Sequence, residues 1–409
     1  MASPGAAERA PAAPALYTRD YWTACVVHFT GALSLEMFVL VPLLIREVGG
    51  TELTIGLALG FGVAASVAFR PVVGTLLDRI GRRRVLLWCG FVNAVSWLPF
   101  LAVTSVGPLL YAAVAFHSIV WGALFAAYFT YAADLVPAER RAEGLAVFGV
   151  AGVAAHGISP LLGEEVIEIY GYDAFFLLAA GFATVSTLVT LLVRVRAPAS
   201  VAADTPSKEK AAAPTAAVGT LQGLRLSLAV PGLPLVLSAT LILGLAINTA
   251  NFFVAPFARE LGIARVGAFF LAYAAAVVSI RVFGRRMLDV LGPHRVSVPG
   301  FASFALGLAV LVLLPEGGVL VLAGFLCGAS HGSLFPVLSA LVVTRAPTAL
   351  RGTVVTFQTA VLDFGAVLGT PLCGVIARLW GYRAMFVFVA AVSLGGLALM
   401  AADAARSRA

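Results

Sequence analysis

The chain of 409 residues is 61% hydrophobic and 11% charged, with a net charge of +7. A soluble domain is roughly 45–50% apolar and 25% charged, so a soluble globular fold is excluded. Nucleic acid is not indicated as a partner either, because the basic residues are dispersed between long apolar stretches rather than gathered on one polar face.

Residues before Tyr21 are rich in Ala and Pro and lack the short apolar run and cleavage site of a secretory signal, so 1–20 reads as a tail. Twelve apolar segments follow, near 21–45, 54–77, 84–103, 107–132, 143–163, 172–194, 231–256, 264–285, 295–314, 318–342, 353–376 and 382–402. Each is about 20 residues long, enough to cross a ~30 Å hydrocarbon core as a helix. The first carries Glu36, past its middle and six residues before Pro42. A charge at that depth costs at least ~2.5–3.5 kcal/mol on insertion scales, so it must face the protein interior, be protonated or be paired.

The second segment closes on Arg70-Pro-Val-Val-Gly74-Thr-Leu-Leu-Asp78-Arg79-Ile-Gly81-Arg82-Arg83-Arg84. Arg70 precedes Asp78 by eight residues, about 12 Å of helix, too deep for a loop charge unless it snorkels. His117 and the aromatic Phe125, Tyr128 and Phe129 fall in the fourth segment, and His156 in the fifth. Residues 195–230 include Ala-Asp-Thr-Pro-Ser-Lys-Glu-Lys, which cannot bury itself and reads as a linker. Beyond it the first half returns: Arg281-x7-Asp289-x2-Gly292-x2-Arg295 echoes Arg70-x7-Asp78-x2-Gly81-x2-Arg84. Gly122-Ala-Leu-Phe125 returns as Gly332-Ser-Leu-Phe335, and Tyr170-Gly-Tyr172 as Trp380-Gly-Tyr382. The period is that of a duplicated half-protein. Asn248 and Asn251 share a face of the seventh segment, with Phe252, Phe253 and Phe257 beside them. His331 lies in the tenth segment, and Gln358 and Asp363 in the eleventh, about 140° apart.

Placing both termini in the cytoplasm puts 20 of the 27 Lys and Arg residues inside, with Arg46, Arg259, Arg265, Arg378 and Arg383 outside. The positive-inside rule selects that topology, and anionic lipid headgroups become the partner of the basic loops. The four cysteines lie inside apolar segments without metal-ligand spacing, so neither a disulfide framework nor a metal site is expected.

The run Gly74-x3-Asp78-Arg79-x-Gly81-Arg82-Arg83 resembles the signature of the major facilitator superfamily between its second and third helices. The resemblance extends from Tyr21 to about residue 402. It implies an all-α membrane protein of twelve transmembrane helices in two pseudo-symmetric six-helix bundles, 21–194 and 231–402, with a C-terminal tail at 403–409. It also implies that Gly74, Asp78, Arg79, Gly81 and Arg82 form a cytoplasmic gate motif, echoed by Asp289 and Gly292. Topology alone is the other explanation of Arg82, Arg83 and Arg84. In the fourth segment Val114 replaces the Arg of an exporter pattern, with His117 at its Gln position, and Ser159-Pro160-x2-Gly163-Glu164 matches the antiporter pattern only in part.

Two halves joined by such a repeat imply alternating access around a midplane site. Glu36 and Asp363 are candidates for proton coupling, and Arg70 and Arg281 are intramembrane charges. His117, Asn248, Asn251, His331 and Gln358 are candidates for an otherwise apolar, aromatic cavity suited to a small organic molecule. Expected is an efflux-type transporter acting as a monomer without cofactor or metal, in a bacterial cytoplasmic (inner) membrane. The alternatives are a proton symporter for metabolite uptake and a non-transporting receptor. No nucleophile elbow, phosphate loop or metal-ligand spacing supports an enzyme.

Overall fold

Helix starts and stops follow local chemistry. The Thr18 hydroxyl accepts from the Tyr21 amide at the first N-terminus, and Thr51 and Thr54 form a reciprocal capping box at the second. The computed structural model describes residues 16–137, 140–193, 229–263, 265–284, 290–313, 317–347 and 350–407, and no strand occurs among them. The helices are α1 (Arg19–Glu47, with a 3-10 turn at Met37–Leu40), α2 (Glu52–Ile80), α3 (Arg82–Ala102), α4 (Pro108–Leu135), α5 (141–170) and α6 (172–190). The second half repeats them as α7 (Leu233–Glu260), α8 (Gly267–Phe283), α9 (Pro293–Leu313), α10 (Gly317–Arg345), α11 (351–380) and α12 (382–406). Helices α5 and α6 run on without a loop and turn only at Gly171 (φ 82°), as α11 and α12 do at Gly381 (φ 83°). That left-handed backbone favours glycine, and the two positions are the centres of the echoed Tyr-Gly-Tyr and Trp-Gly-Tyr.

The face of the bundle that carries Arg82–Arg84, Arg140, Arg345 and Arg351 is termed the basic face, and the other the opposite face. Within the first half α1 packs on α5 and α6, and α2 on α4; within the second α7 packs on α11 and α8 on α10. The halves meet along α2 with α11 and α5 with α8. Helices α3, α6, α9 and α12 lie outermost, and Trp88, Leu188, Leu313 and Val387 project from them fully or half exposed. Side chains so apolar are suited to hydrocarbon surroundings.

Two helix ends depart from the hydropathy pattern. Helix α5 continues to residue 170, beyond the apolar segment's end at 163, because the carboxylate of Glu164 is satisfied across the interface. Helix α12 runs through Asp403, expected in a tail, and buries it to 1% exposure. Asp403 accepts two bonds from Arg345 (2.8 and 2.6 Å) and lies 2.7 Å from His294 Nε2. Arg345 also donates to the Gly232 carbonyl (2.9 Å), so α7, α9, α10 and α12 are tied at the basic face. Removing one partner of a buried ion pair costs about 3–5 kcal/mol. Asp403→Ala is therefore expected to lower the thermal unfolding midpoint of the purified protein well below that of Asp403→Asn, and equal midpoints for the two variants would refute the knot. Tail 1–20 and linker 195–230 lie largely outside the described residues.

Candidate functional site

The interface between the halves is sealed at the opposite face. Residues 37–45 of α1 and 252–258 of α7 are buried without interruption, with the Phe38 and Phe252 rings 6.4 Å apart across the halves. A methyl group on Gly56 of α2 would lie 2.7 Å from the Thr370 carbonyl oxygen of α11, and one on Gly60 would lie 2.6 Å from Pro371. Small residues let these backbones touch. Helices α5 and α8 close just as tightly, with Gly267 packed on Leu161 and Gly157 on Ala274.

Glu164 adds a charged contact to this seal. Its carboxylate, 6% exposed, accepts from the backbone amides of Val266 (2.8 Å) and Gly267 (2.9 Å) at the start of α8. A carboxylate there satisfies orphan amides and meets the positive end of the helix dipole. It joins the halves across the sealed end of the interface. Charged hydrogen bonds contribute about 1.5–3 kcal/mol against about 1 for neutral ones, so Glu164→Gln weakens the seal. A cysteine placed at buried Ile55 is expected to react about 10-fold faster with a membrane-impermeant thiol reagent in that variant. An unchanged rate would remove Glu164 from the gate.

The basic end of the same interface is open. Gly74 lies 18 residues, five full turns, beyond Gly56 and so on the same face of α2, yet a methyl group on it would meet nothing within 4 Å. Over residues 55–60 only Leu57 is exposed, whereas over 71–77 only Val73 and Leu77 are buried. The protein is thus closed at the opposite face and parted at the basic face.

Between these ends lies a belt of ionisable groups. Glu36, at the last residue before the 3-10 turn of α1, sits 2.7 Å from His156 Nδ1 on α5. The His156 ring stands 5.5 Å from those of Phe270 and Tyr273 on α8, in the other half. Tyr273 Oη is 2.6 Å from His331 Nδ1 on α10, so one path runs from α1 to α10. Beside it, Arg70 of α2 forms an ion pair with Asp363 of α11 across the halves. Both groups are partly accessible (39% and 19%) although Arg70 is about 15 Å of helix from the end of α2. Arg281 lies within electrostatic reach of Tyr273 and His331, and its Nη1 is 3.7 Å from where a Gly149 methyl would sit.

Other candidates are distributed differently. His117 is fully buried within the first half, 2.9 Å from Ser96 Oγ and stacked on Phe38. Asn248 donates back to the Gly244 carbonyl (2.9 Å), while Asn251 Oδ1 and Gln358 Nε2 are buried with no partner among the described residues. Phe252, Phe253 and Phe257 belong to the seal. Tyr128 packs on His28, and Phe125 stacks on Trp121. In the gate motif, Arg82 pairs with Asp134 of α4 and Arg83 donates to the Leu191 carbonyl (3.0 Å), both within the first half. Arg79 is exposed, and Gly81 (φ 82°) and Gly292 (φ 78°) make matching turns. The Asp78 side chain and all of Asp289 lie outside the described residues. Sequence reading passed over Tyr273, Asp134 and Asp403, and saw in Glu164 only a mismatched motif position. No cluster of metal-ligating side chains occurs among the described residues.

Two helical halves packed face to face, sealed at one end, parted at the other and holding paired charges between them, define a multi-pass membrane transporter rather than an enzyme. The chain belongs to the Major Facilitator Superfamily, whose profile matches residues 24–285 and 236–407. It is 26% identical over 391 residues to the multidrug resistance protein MdtG of Proteus mirabilis, covering 91% of each chain. It is 23% identical to the staphylopine export protein of Staphylococcus aureus over 85% of this chain and 87% of that one. The crystal structure of the nucleoside transporter NupG superposes with a TM-score of 0.76 at 13% identity, over 94% of this chain and 99% of that one.

Proposed function

We propose that this transporter is a proton-coupled exporter of a small organic molecule, with its basic face and both termini in the cytoplasm of a bacterial inner membrane. The Glu36–His156 pair carries the reading. It is a carboxylate and an imidazole in contact, partly accessible, and set against the other half through Tyr273. A proton taken up by the pair changes its charge and, with it, the hydrogen bonding of the His156 ring that faces α8. Proton occupancy and the packing of the halves are thereby linked, as coupling requires.

Export is favoured by the names of the relatives, which describe drug resistance and export. Positive charge at the basic face supports the orientation. Asn251 and Gln358 supply unpartnered polar atoms for a substrate, with Asn248 one turn from Asn251 on α7 and His331 paired with Tyr273. At the cytoplasmic face the gate motif, including Asp78, Arg79 and Arg82 with Asp289 in the second copy, closes the halves when the opposite face opens. A single chain holds all of these groups, so the monomer is the transporting unit, in contact with lipid. Inverted membrane vesicles loaded with a compound panel test the proposal. Accumulation that collapses when the pH gradient is dissipated is expected, and gradient-independent accumulation would refute the coupling.

A further inference from the structure

We infer that Arg281 is the receptor for an anionic group on the substrate, so that the transported molecule is an organic acid with an apolar body. This rests on the transport reading above and specifies its substrate. Repeat symmetry provides the first observation. Arg70 and Arg281 occupy equivalent places in the two halves, 211 residues apart. Arg70 has a counter-ion in the opposite half, Asp363. The same offset, which also relates Pro160 to Pro371 and Gly163 to Gly374, takes Asp363 to Gly152. A side chain at Gly152 would meet the His28 ring, and the residue that faces the Arg281 guanidinium is Gly149; both are glycines, so the first half offers no carboxylate there.

The second observation is the charge balance of the interface. Glu36 is engaged by His156 and Asp363 by Arg70, and no carboxylate among the described residues lies within salt-bridge distance of Arg281. A guanidinium cannot shed its charge, so among the described residues Arg281 is left without a compensating carboxylate in a setting where isolated charges are costly. Its surroundings match an amphipathic acid. The guanidinium and the Phe129 ring both border the place of a Gly149 methyl, and the hydrogen-bonded Tyr273 and His331 lie within electrostatic reach. A carboxylate can take two parallel N–H bonds from the guanidinium fork while an apolar body rests on the aromatic wall. The place that a first-half carboxylate would take is then occupied by the cargo, and the charge is compensated only when cargo is bound.

The test measures thermal stabilisation of the purified full-length protein by acetate, benzoate and 1-naphthoate against acetamide, benzamide and 1-naphthamide. The acids are expected to raise the unfolding midpoint, increasingly with apolar size, and the amides are not. Arg281→Gln should weaken acid binding roughly 100-fold and Arg281→Lys about 10-fold, because an ammonium keeps the charge without the fork. A gain-of-charge variant avoids reliance on losing the arginine. A methyl at Gly149 makes only ordinary contacts, so Gly149→Asp sets a carboxylate beside Arg281 and should abolish acid binding, while Gly149→Asn leaves it within about threefold. Asp289→Asn should leave acid binding unchanged. Equal stabilisation by acids and amides, no stabilisation by any acid, acid binding that survives Arg281→Gln, or a large gain in Asp289→Asn would each overturn the inference. Binding is read at equilibrium without a gradient. Transport of neutral compounds with no acid binding would sink this subsite and leave the exporter intact. Acids that bind without any gradient-driven flux would do the reverse.

Discussion

Glu36→Gln is expected to abolish uphill transport while leaving exchange of substrate across the membrane within about threefold of wild type. Glutamine matches the size of a protonated glutamate and offers His156 Nδ1 a hydrogen-bond partner at the same place, 2.7 Å away in the wild type. What it lacks is a proton to give up. A transporter fixed in the protonated configuration can still shuttle between its two open forms carrying substrate, but it cannot complete the proton-driven return. Gradient-driven accumulation in reconstituted vesicles should therefore fall to the level set by equilibration. The exchange rate should also respond less to pH than in the wild type, because the carboxyl proposed to take up the proton is gone. Should Glu36 be only a helix-to-helix hydrogen-bonder, both fluxes and the pH profile would persist in the variant, and coupling would have to move to another group such as Asp363.

The second large effect concerns the bridge between the halves. Arg70 of α2 and Asp363 of α11 are 293 residues apart in sequence and meet between the sealed and parted ends of the interface. The pair is partly accessible, so removing one partner costs less than the roughly 3–5 kcal/mol of a fully buried pair, whereas removing both leaves an apolar contact that is often neutral. Arg70→Ala and Asp363→Ala should each cut transport by more than about 100-fold and lower the unfolding midpoint. The Arg70→Ala/Asp363→Ala double variant should recover stability and part of the flux. Parallel measurement of midpoint and flux in the three variants forms a double-mutant cycle. A double variant no better than the worse single one would show that the two groups act independently, and the bridge would lose its role in holding the halves together.

The sequence alone determined the fold. Twelve apolar segments, an offset of 210 or 211 between the halves, and glycines at the two helix-to-helix turns follow from backbone chemistry that a lipid environment leaves little freedom to evade. Span ends were legible wherever a polar run coincided with the surface. They failed at Glu164 and Asp403, since each carboxylate is satisfied by a partner more than fifty residues away rather than by water. The depth of Glu36, Asp363, Arg70 and Arg281 was also legible, as an excess of charge inside apolar runs. Their partners were not. In sequence Arg70 and Arg281 are the same residue in the same repeat, yet one ends on a carboxylate and the other beside a glycine. His117 and His156 both stand in apolar segments of the first half, but one is locked under Phe38 and the other holds Glu36 beside the second half. Hydropathy fixes how deep a side chain lies, because burial in lipid is decided segment by segment. Which way it points and what it meets depend on the packing of helices hundreds of residues apart, and only the tertiary structure decides that.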